Sequence, residues 1–217
     1  MKIVEPDFSR MERCGVPEVV YGEGKSVKQL LQVADRMLAK TGRVIVTKAD
    51  EKKASALRDM FKKCHVECSE EAGTVVVKKK RGRARGQGMV GIITAGTSDI
   101  GVAEEARVIL SELGCETVTA YDVGVAGVHR LYPALKTMEK AQAIIVVAGM
   151  EGALPSVVSG LVDVPVIGVP TSVGYGVGRG GYTALNSMLS SCTPVAVVNI
   201  DNGYGAAVLA YQIARRG

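Results

Sequence analysis

The chain has 217 residues, a net charge of +5, no tryptophan and five cysteines. That length suits one or two domains. With no run of 18 uncharged apolar residues it has no sequence for a membrane-spanning helix, and its start lacks the basic-then-apolar order of a signal peptide. An odd, scattered set of cysteines argues against a disulfide framework and for a reducing, cytoplasmic setting.

The charge is unevenly spread. Residues 1–88 carry 20 lysines and arginines against 12 acidic residues, whereas residues 89–217 carry 7 against 10. The chain therefore reads as a small basic N-terminal α/β domain with its linker, 1–88, and a larger, mildly acidic domain, 89–217. In the first, residues 26–40 set Val27, Leu30, Leu31, Ala34, Met37 and Leu38 on one helical face. Residues 43–47 and 74–78 read as strands and 51–63 as a second helix. Gly22-Glu23-Gly24-Lys25-Ser26 ends as a P-loop does, but the leading glycine would fall on Val19, so the motif fails. Cys64-His65-x-x-Cys68 is half a metal site without the remaining ligands or spacing. The segment Lys78–Arg85 holds six positive charges in eight residues. With no aromatic interleaved to stack on bases, it reads as a solvated linker, and no nucleic-acid partner is expected.

After Gly88 the pattern becomes regular. Apolar runs at 89–94, 117–120, 143–148, 165–169 and 194–199 are each followed by a loop and a helical stretch. The helix after the first run carries the stripe Val102, Ala106, Ile109, Leu110 and Leu113. Strands apolar on both faces, alternating with helices, mean a parallel sheet covered on two sides. Right-handed crossovers then give a three-layer, doubly wound α/β fold of flavodoxin-like strand order.

Such folds bind ligands beyond the carboxyl ends of their strands. Here all five ends carry glycine beside polar side chains. The candidate contacts are Gly96, Thr97, Ser98 and Asp99 after the first strand, and Asp122, His129 and Arg130 after the second. Gly149, Met150, Glu151 and Gly152 follow the third strand, Thr171, Ser172, Gly174, Tyr175 and Gly176 the fourth, and Asn199, Asp201 and Asn202 the fifth. Ser98 and Asp99 open a helix, where free N–H groups favour a phosphate. Glu151 is either an exposed turn carboxylate or a general base or cation ligand held at the rim. His129 and Arg130 together form a candidate pair for bicarbonate or a carboxylate. Cys192 ends the helical stretch 182–191, and from position alone it reads as a small core thiol.

The strings TAGTSDIGVAEEA, YDVGVAGVHRL, VVAGMEGALPSVVSGL, PVIGVPTSVGYG, MLSSC and VVNIDNGYGAA, in this order over residues 92–207, resemble the pyridinium-3,5-biscarboxylic acid mononucleotide synthase family of nickel-pincer cofactor biosynthesis. Its core is in turn similar to N5-carboxyaminoimidazole ribonucleotide mutase. The segment Asp7-x-x-Arg10-x-x-Arg13-x-Gly15-x-Pro17-Glu18 through Ser26 also matches. This chain begins almost at that segment, whereas the family usually has a further helical lead-in.

The resemblance implies carboxylation of nicotinic acid adenine dinucleotide at pyridinium C5 with CO2 or bicarbonate, then phosphoanhydride hydrolysis releasing AMP. It places the essential roles on Cys192 and Glu151, with His129 and Asp99 completing the candidate catalytic set. A reversible thiolate adduct suits this chemistry, because it turns an electron-poor ring into an enamine-type nucleophile. The helix dipole disfavours a thiolate at Cys192, so the pyridinium charge, with His129 or Arg130, is expected to compensate. No tightly bound cofactor is implied, and the absence of a metal cage is compatible with a weakly held, hydrated Mg2+. Related mutases suggest a homo-octamer with sites at subunit boundaries. The alternative reading is an aminoimidazole ribonucleotide carboxylase or mutase, which needs no cysteine nucleophile because its substrate is already an enamine.

Overall fold

In the computed structural model the described residues are 5–82 and 86–216. They fall into two compact units divided after Gly82. The linker residues Arg83, Ala84 and Arg85 lie outside the described residues. The basic run that precedes them begins inside the fold, since Lys78 is the last residue of a strand and is buried.

The N-terminal unit runs α1 (Arg10–Cys14), β1 (Val20–Tyr21), α2 (Val27–Thr41), β2 (Arg43–Thr47), α3 (Glu51–Met60), β3 (His65–Ser69) and β4 (Thr74–Lys78). Its sheet has the order β1-β2-β4-β3, with β1 parallel to β2 and the other pairs antiparallel. Ser26 starts α2 through a capping box with Gln29, and Gly42 ends it in the left-handed region at φ 73°. Leu30, Ala34, Met37 and Leu38 then pack with Leu57 of α3 and with Val44, Val46, Val75 and Val77. Strand β3 was not expected from the sequence. Its alternation sends Cys64, Val66 and Cys68 onto this core, so His65 faces the other way and bonds Glu67 at 2.7 Å. The two-residue period of a strand thus dismantles the half metal site.

The C-terminal unit runs β5 (Met89–Thr94), α4 (Ile100–Leu113), β6 (Glu116–Ala120), α5 (Leu131–Thr137), β7 (Ala143–Ala148), α6 (Leu154–Ser159), β8 (Val166–Pro170), α7 (Tyr182–Leu189), β9 (Val195–Val197) and α8 (Gly203–Ala214). All five strands are parallel in the order β6-β5-β7-β8-β9. This is the doubly wound, flavodoxin-like order expected from the alternation of strand and helix. Helices α4 and α8 pack together over one face. On the other, Leu131, Ala134, Leu154, Val158, Ala184 and Met188 of α5, α6 and α7 meet Ile93, Ile144, Val146 and Val166. The central strands β7 and β8 are buried along their whole length, as a sheet covered on both sides requires. No helix among the described residues is long and apolar enough to cross a membrane.

Candidate active site

The carboxyl ends of β5, β6 and β7 surround a cavity of about 200 Å³. It lies where the chain reverses direction across the sheet, between the loops of β5 and β7. Ala95, Gly96, Ser98 and Asp99 line it from the loop after β5, and Gly124, Val125 and Ala126 from the loop after β6. Gly149, Met150, Glu151, Ala153 and Leu154 follow β7, and Val173 follows β8.

Two glycines let these loops close. A Cβ on Gly124 would sit 2.7 Å from the Ala95 carbonyl oxygen, and one on Gly149 would sit 2.5 Å from Thr171 Oγ1. Three non-glycine residues on the rim adopt positive φ: Asp122 at 58°, Met150 at 54° and Asp201 at 56°. That conformation costs of order 1 kcal/mol or more, and it clusters where strain serves function.

Asp99 is the organising carboxylate. It is 3% exposed, accepts the Thr171 hydroxyl at 2.7 Å and the Gly96 N–H at 2.9 Å, and also takes the Gly149 N–H. Burial pushes its pKa up from the ordinary carboxylate value, and these donors oppose the shift. Glu151 is different. It is exposed at the cavity mouth and has no hydrogen bond or ion pair among the described residues. A free carboxylate facing a cavity suits a base that must reach a substrate proton.

Of the residues singled out from the sequence, Gly96, Ser98, Asp99, Gly149, Met150 and Glu151 converge on the cavity. Thr171 is buried behind it, bonded to Asp99. Asp201 accepts the Ser172 N–H at 2.9 Å, and Asn202 caps α8 through Gly205 N. Thr97, Gly152, Gly174, Tyr175, Gly176 and Asn199 lie on the rim loops without lining the cavity. The expected His129–Arg130 pair lies away from the cavity. Arg130 is bonded to Asp122 at 3.0 Å, His129 is exposed on a 3-10 turn, and neither lines the cavity.

Cys192 corrects two expectations. It is exposed rather than a core thiol. It also follows α7 and precedes β9, whose first residue Val195 pairs with Val166, the first of β8. It therefore lies at the amino edge of the sheet, where neighbouring Thr193 bonds the Ser156 carbonyl. Glu151, His129 and Arg130 all follow strands at the opposite edge. Five residues of β8 span roughly 13 Å between the edges at about 3.3 Å per residue. Within one chain the thiol and Glu151 do not meet, and His129 and Arg130 do not lie beside the thiol.

Ala95, Gly124, Val125, Ala126, Ala153, Leu154 and Val173 complete the lining; apolar residues and a glycine in turns carry no chemical signature that would single them out in the sequence. Arg179 is an exposed arginine in the glycine-rich loop after β8, outside the cavity lining and with no ion pair among the described residues. Gly178 beside it packs on the Met150 backbone. Arg179 is a permanent cation on a loop that holds five glycines. Among the described residues no group of three or more His, Cys, Asp or Glu could hold a metal.

Fold and cavity together define a doubly wound α/β protein with a cavity at its topological switch point. Known proteins narrow that class. Residues 89–216 match the AIR carboxylase family and residues 1–80 match a LarB/PurE-like N-terminal domain. The chain belongs to the AIR carboxylase family, of the LarB/PurE-like kind. It is 50% identical over 215 residues to an uncharacterized protein of Methanocaldococcus jannaschii, covering 96% of this chain and 83% of that one. It is 38% identical over 133 residues to the N5-carboxyaminoimidazole ribonucleotide mutase of the same organism, covering 58% of this chain and 78% of the mutase. A phosphoribosylaminoimidazole carboxylase of Schizosaccharomyces pombe is 32% identical over 133 residues, 58% of this chain and 23% of the carboxylase.

Proposed function

We propose that the chain is a pyridinium carboxylase: it carboxylates nicotinic acid adenine dinucleotide at C5 and hydrolyses the phosphoanhydride, giving the 3,5-biscarboxylated mononucleotide and AMP. The observation that carries this reading is the exposed free thiol of Cys192, in a family whose aminoimidazole chemistry has no use for one. An aminoimidazole is already an enamine; a pyridinium must be made into one.

The steps balance with the groups at hand. The Cys192 thiolate adds to C4 or C6 of the ring, forming a C–S bond and a dihydropyridine. C5 then attacks the carbon of CO2, forming the new C–C bond. Glu151 takes the C5 proton, and the electron pair left behind restores aromaticity by expelling the thiolate. Water then cleaves the phosphoanhydride. Asp99 accepts from the ribosyl hydroxyls, Ser98 at the turn into α4 donates to a phosphate, and Arg179 supplies a guanidinium for it.

A thiol at one edge and a base at the other require two chains. We infer that Cys192 of a second copy completes each site, in the homo-octamer expected for this family. Tyr175, Val177 and Tyr182, 77%, 93% and 69% exposed, supply apolar surface for such contacts. The residues of the C-terminal unit, 89–217, carry the chemistry.

The test is incubation with nicotinic acid adenine dinucleotide and bicarbonate, followed by mass spectrometry. The reading expects a mononucleotide heavier by one CO2, lost in Cys192→Ser. Turnover of an aminoimidazole ribonucleotide instead, undiminished in Cys192→Ser, refutes it in favour of the mutase alternative. Mixing Cys192→Ser with Glu151→Gln subunits restores part of the activity if sites are shared between chains. Two inactive variants that stay inactive after exchange refute the shared site.

A further inference from the structure

Thr171 is the first residue after β8 and is wholly buried. Its backbone N–H donates to the Ala148 carbonyl at 3.1 Å, continuing the sheet. Its hydroxyl goes elsewhere, to Asp99 across three loops of the rim, at 2.7 Å. The next residue holds a second carboxylate, since the Ser172 N–H donates to Asp201 at 2.9 Å. Thr171 is thus not a ligand contact, as its place among the strand-end residues suggested. It stands one layer behind the cavity.

Valine would fill the same space without burying a hydroxyl, which costs free energy in an apolar surrounding unless it is bonded. What threonine adds is one donor for Asp99. A carboxylate offers about four acceptor positions, and three are taken by Thr171, Gly96 and Gly149. Asp99 also lines the cavity, so a ligand there can add a further donor to the same carboxylate. Gly149 links this network to the base: its missing side chain makes room for Thr171 Oγ1, and it precedes the Met150 turn that carries Glu151.

We propose that Thr171 is a positioning residue, which holds the Asp99 carboxylate in one orientation as an acceptor facing the cavity and ties it through Gly149 to the turn bearing Glu151. The electrostatics agree. Burial raises the Asp99 pKa and the Asp201 charge raises it further, while the Thr171 hydroxyl leads the interactions that oppose them. Glu151 is the other charged group on the cavity, and no lysine or arginine lines it. Asp99 therefore depends on neutral donors to stay ionised, and Thr171 is the one that a side-chain substitution removes.

The sign of the effect is definite. Removing a donor to the charged form raises the folded-state pKa of Asp99 further, and stability is then lost as pH rises through that value. Thermal unfolding of the full chain without ligand is measured from about pH 4 to 8 for wild type, Thr171→Val and Thr171→Ser. The same series is repeated in an Asp99→Asn background. The Thr171→Val deficit in Tm is expected to widen with pH to roughly 3–10 °C, while Thr171→Ser stays near wild type. In Asp99→Asn the valine deficit becomes independent of pH. If Thr171→Val does not fold, Thr171→Ala against Thr171→Ser gives the same comparison.

A deficit that is constant across pH, or that persists with its pH dependence in Asp99→Asn, overturns the proposal. Its consequence for turnover rests on the function proposed above, and the two fail separately. A widening deficit in a protein inactive on nicotinic acid adenine dinucleotide defeats the reaction alone. A flat deficit in an active enzyme defeats the positioning role alone.

Discussion

Gly149→Ala is the sharpest single perturbation of the site. The added Cβ would lie 2.5 Å from Thr171 Oγ1 and closer still to the Val173 carbonyl oxygen, against an ordinary separation of about 3.5 Å or more. Neither neighbour can retreat freely. The Val173 carbonyl accepts the Met150 N–H at 2.9 Å, and Thr171 holds Asp99. Relief of the overlap costs about 1–3 kcal/mol for the overpacking. Each hydrogen bond displaced adds about 1 kcal/mol. The total is about 2–5 kcal/mol. For a chain of this size each kcal/mol lowers Tm by about 2–4 °C, so differential scanning calorimetry should show a fall of roughly 5–15 °C. Gly96→Ala is the control, since its Cβ would meet nothing nearer than 3.6 Å and its φ of −128° suits any residue. It should melt within a degree or two of wild type. Should Gly149→Ala melt with wild type, the tight approach of the β7 and β8 loops, and the cavity built on it, would be wrong.

Other expectations follow from the same geometry. Arg179→Gln should weaken binding of a nucleotide such as AMP by roughly tenfold or more, as loss of a charge-assisted hydrogen bond implies; calorimetric titration reads this directly, and an unchanged Kd removes Arg179 from the site. Asp7 is held at a pKa of about 2, chiefly by the hydrogen bond from Arg13. Its contribution is present above the ordinary carboxylate value and is lost as pH falls through about 2, so the Tm gap between wild type and Asp7→Asn should close between about pH 4 and 2. Burial pushes the Cys115 thiol up to about 11, so it should resist iodoacetamide at pH 8 until the protein is denatured; peptide mapping that finds it labelled in the native protein contradicts its burial.

The C-terminal unit was legible because its strands are buried on both faces. Runs such as Ala143–Ala148 cannot be anything else when helices alternate with them, and their carboxyl ends then lead to the ligand site. The N-terminal unit was less legible. His65–Ser69 mixes a core-facing row of Cys64, Val66 and Cys68 with charged residues on the other face. The cysteines drew the reading toward a metal motif in place of a strand. In the site, glycines and carboxylates stood out in the sequence, but partnerships did not. Asp122 and Arg130 are eight residues apart and form an ion pair on the surface. Thr171 and Asp99 are 72 residues apart, and only the sheet order brings their loops together.

The position of Cys192, by contrast, was implicit in the strand–helix alternation. In a parallel doubly wound sheet every segment leading from a strand into a helix lies at the carboxyl edge. Every segment leading from a helix back into a strand lies at the amino edge. Glu151 follows β7 and precedes α6; Cys192 follows α7 and precedes β9. The two residues that a thiolate-assisted carboxylation needs were therefore assigned to opposite edges as soon as the fold was assigned. A nucleophile must approach a ring carbon to about 3–3.5 Å, and no side-chain rotation closes a sheet's breadth. If the chemistry uses both residues, the reacting ring lies between the carboxyl edge of one chain and the amino edge of another. The assembly is then part of the catalyst, and a variant that dissociates it without unfolding the chain should lose carboxylation while keeping the Asp99 network intact.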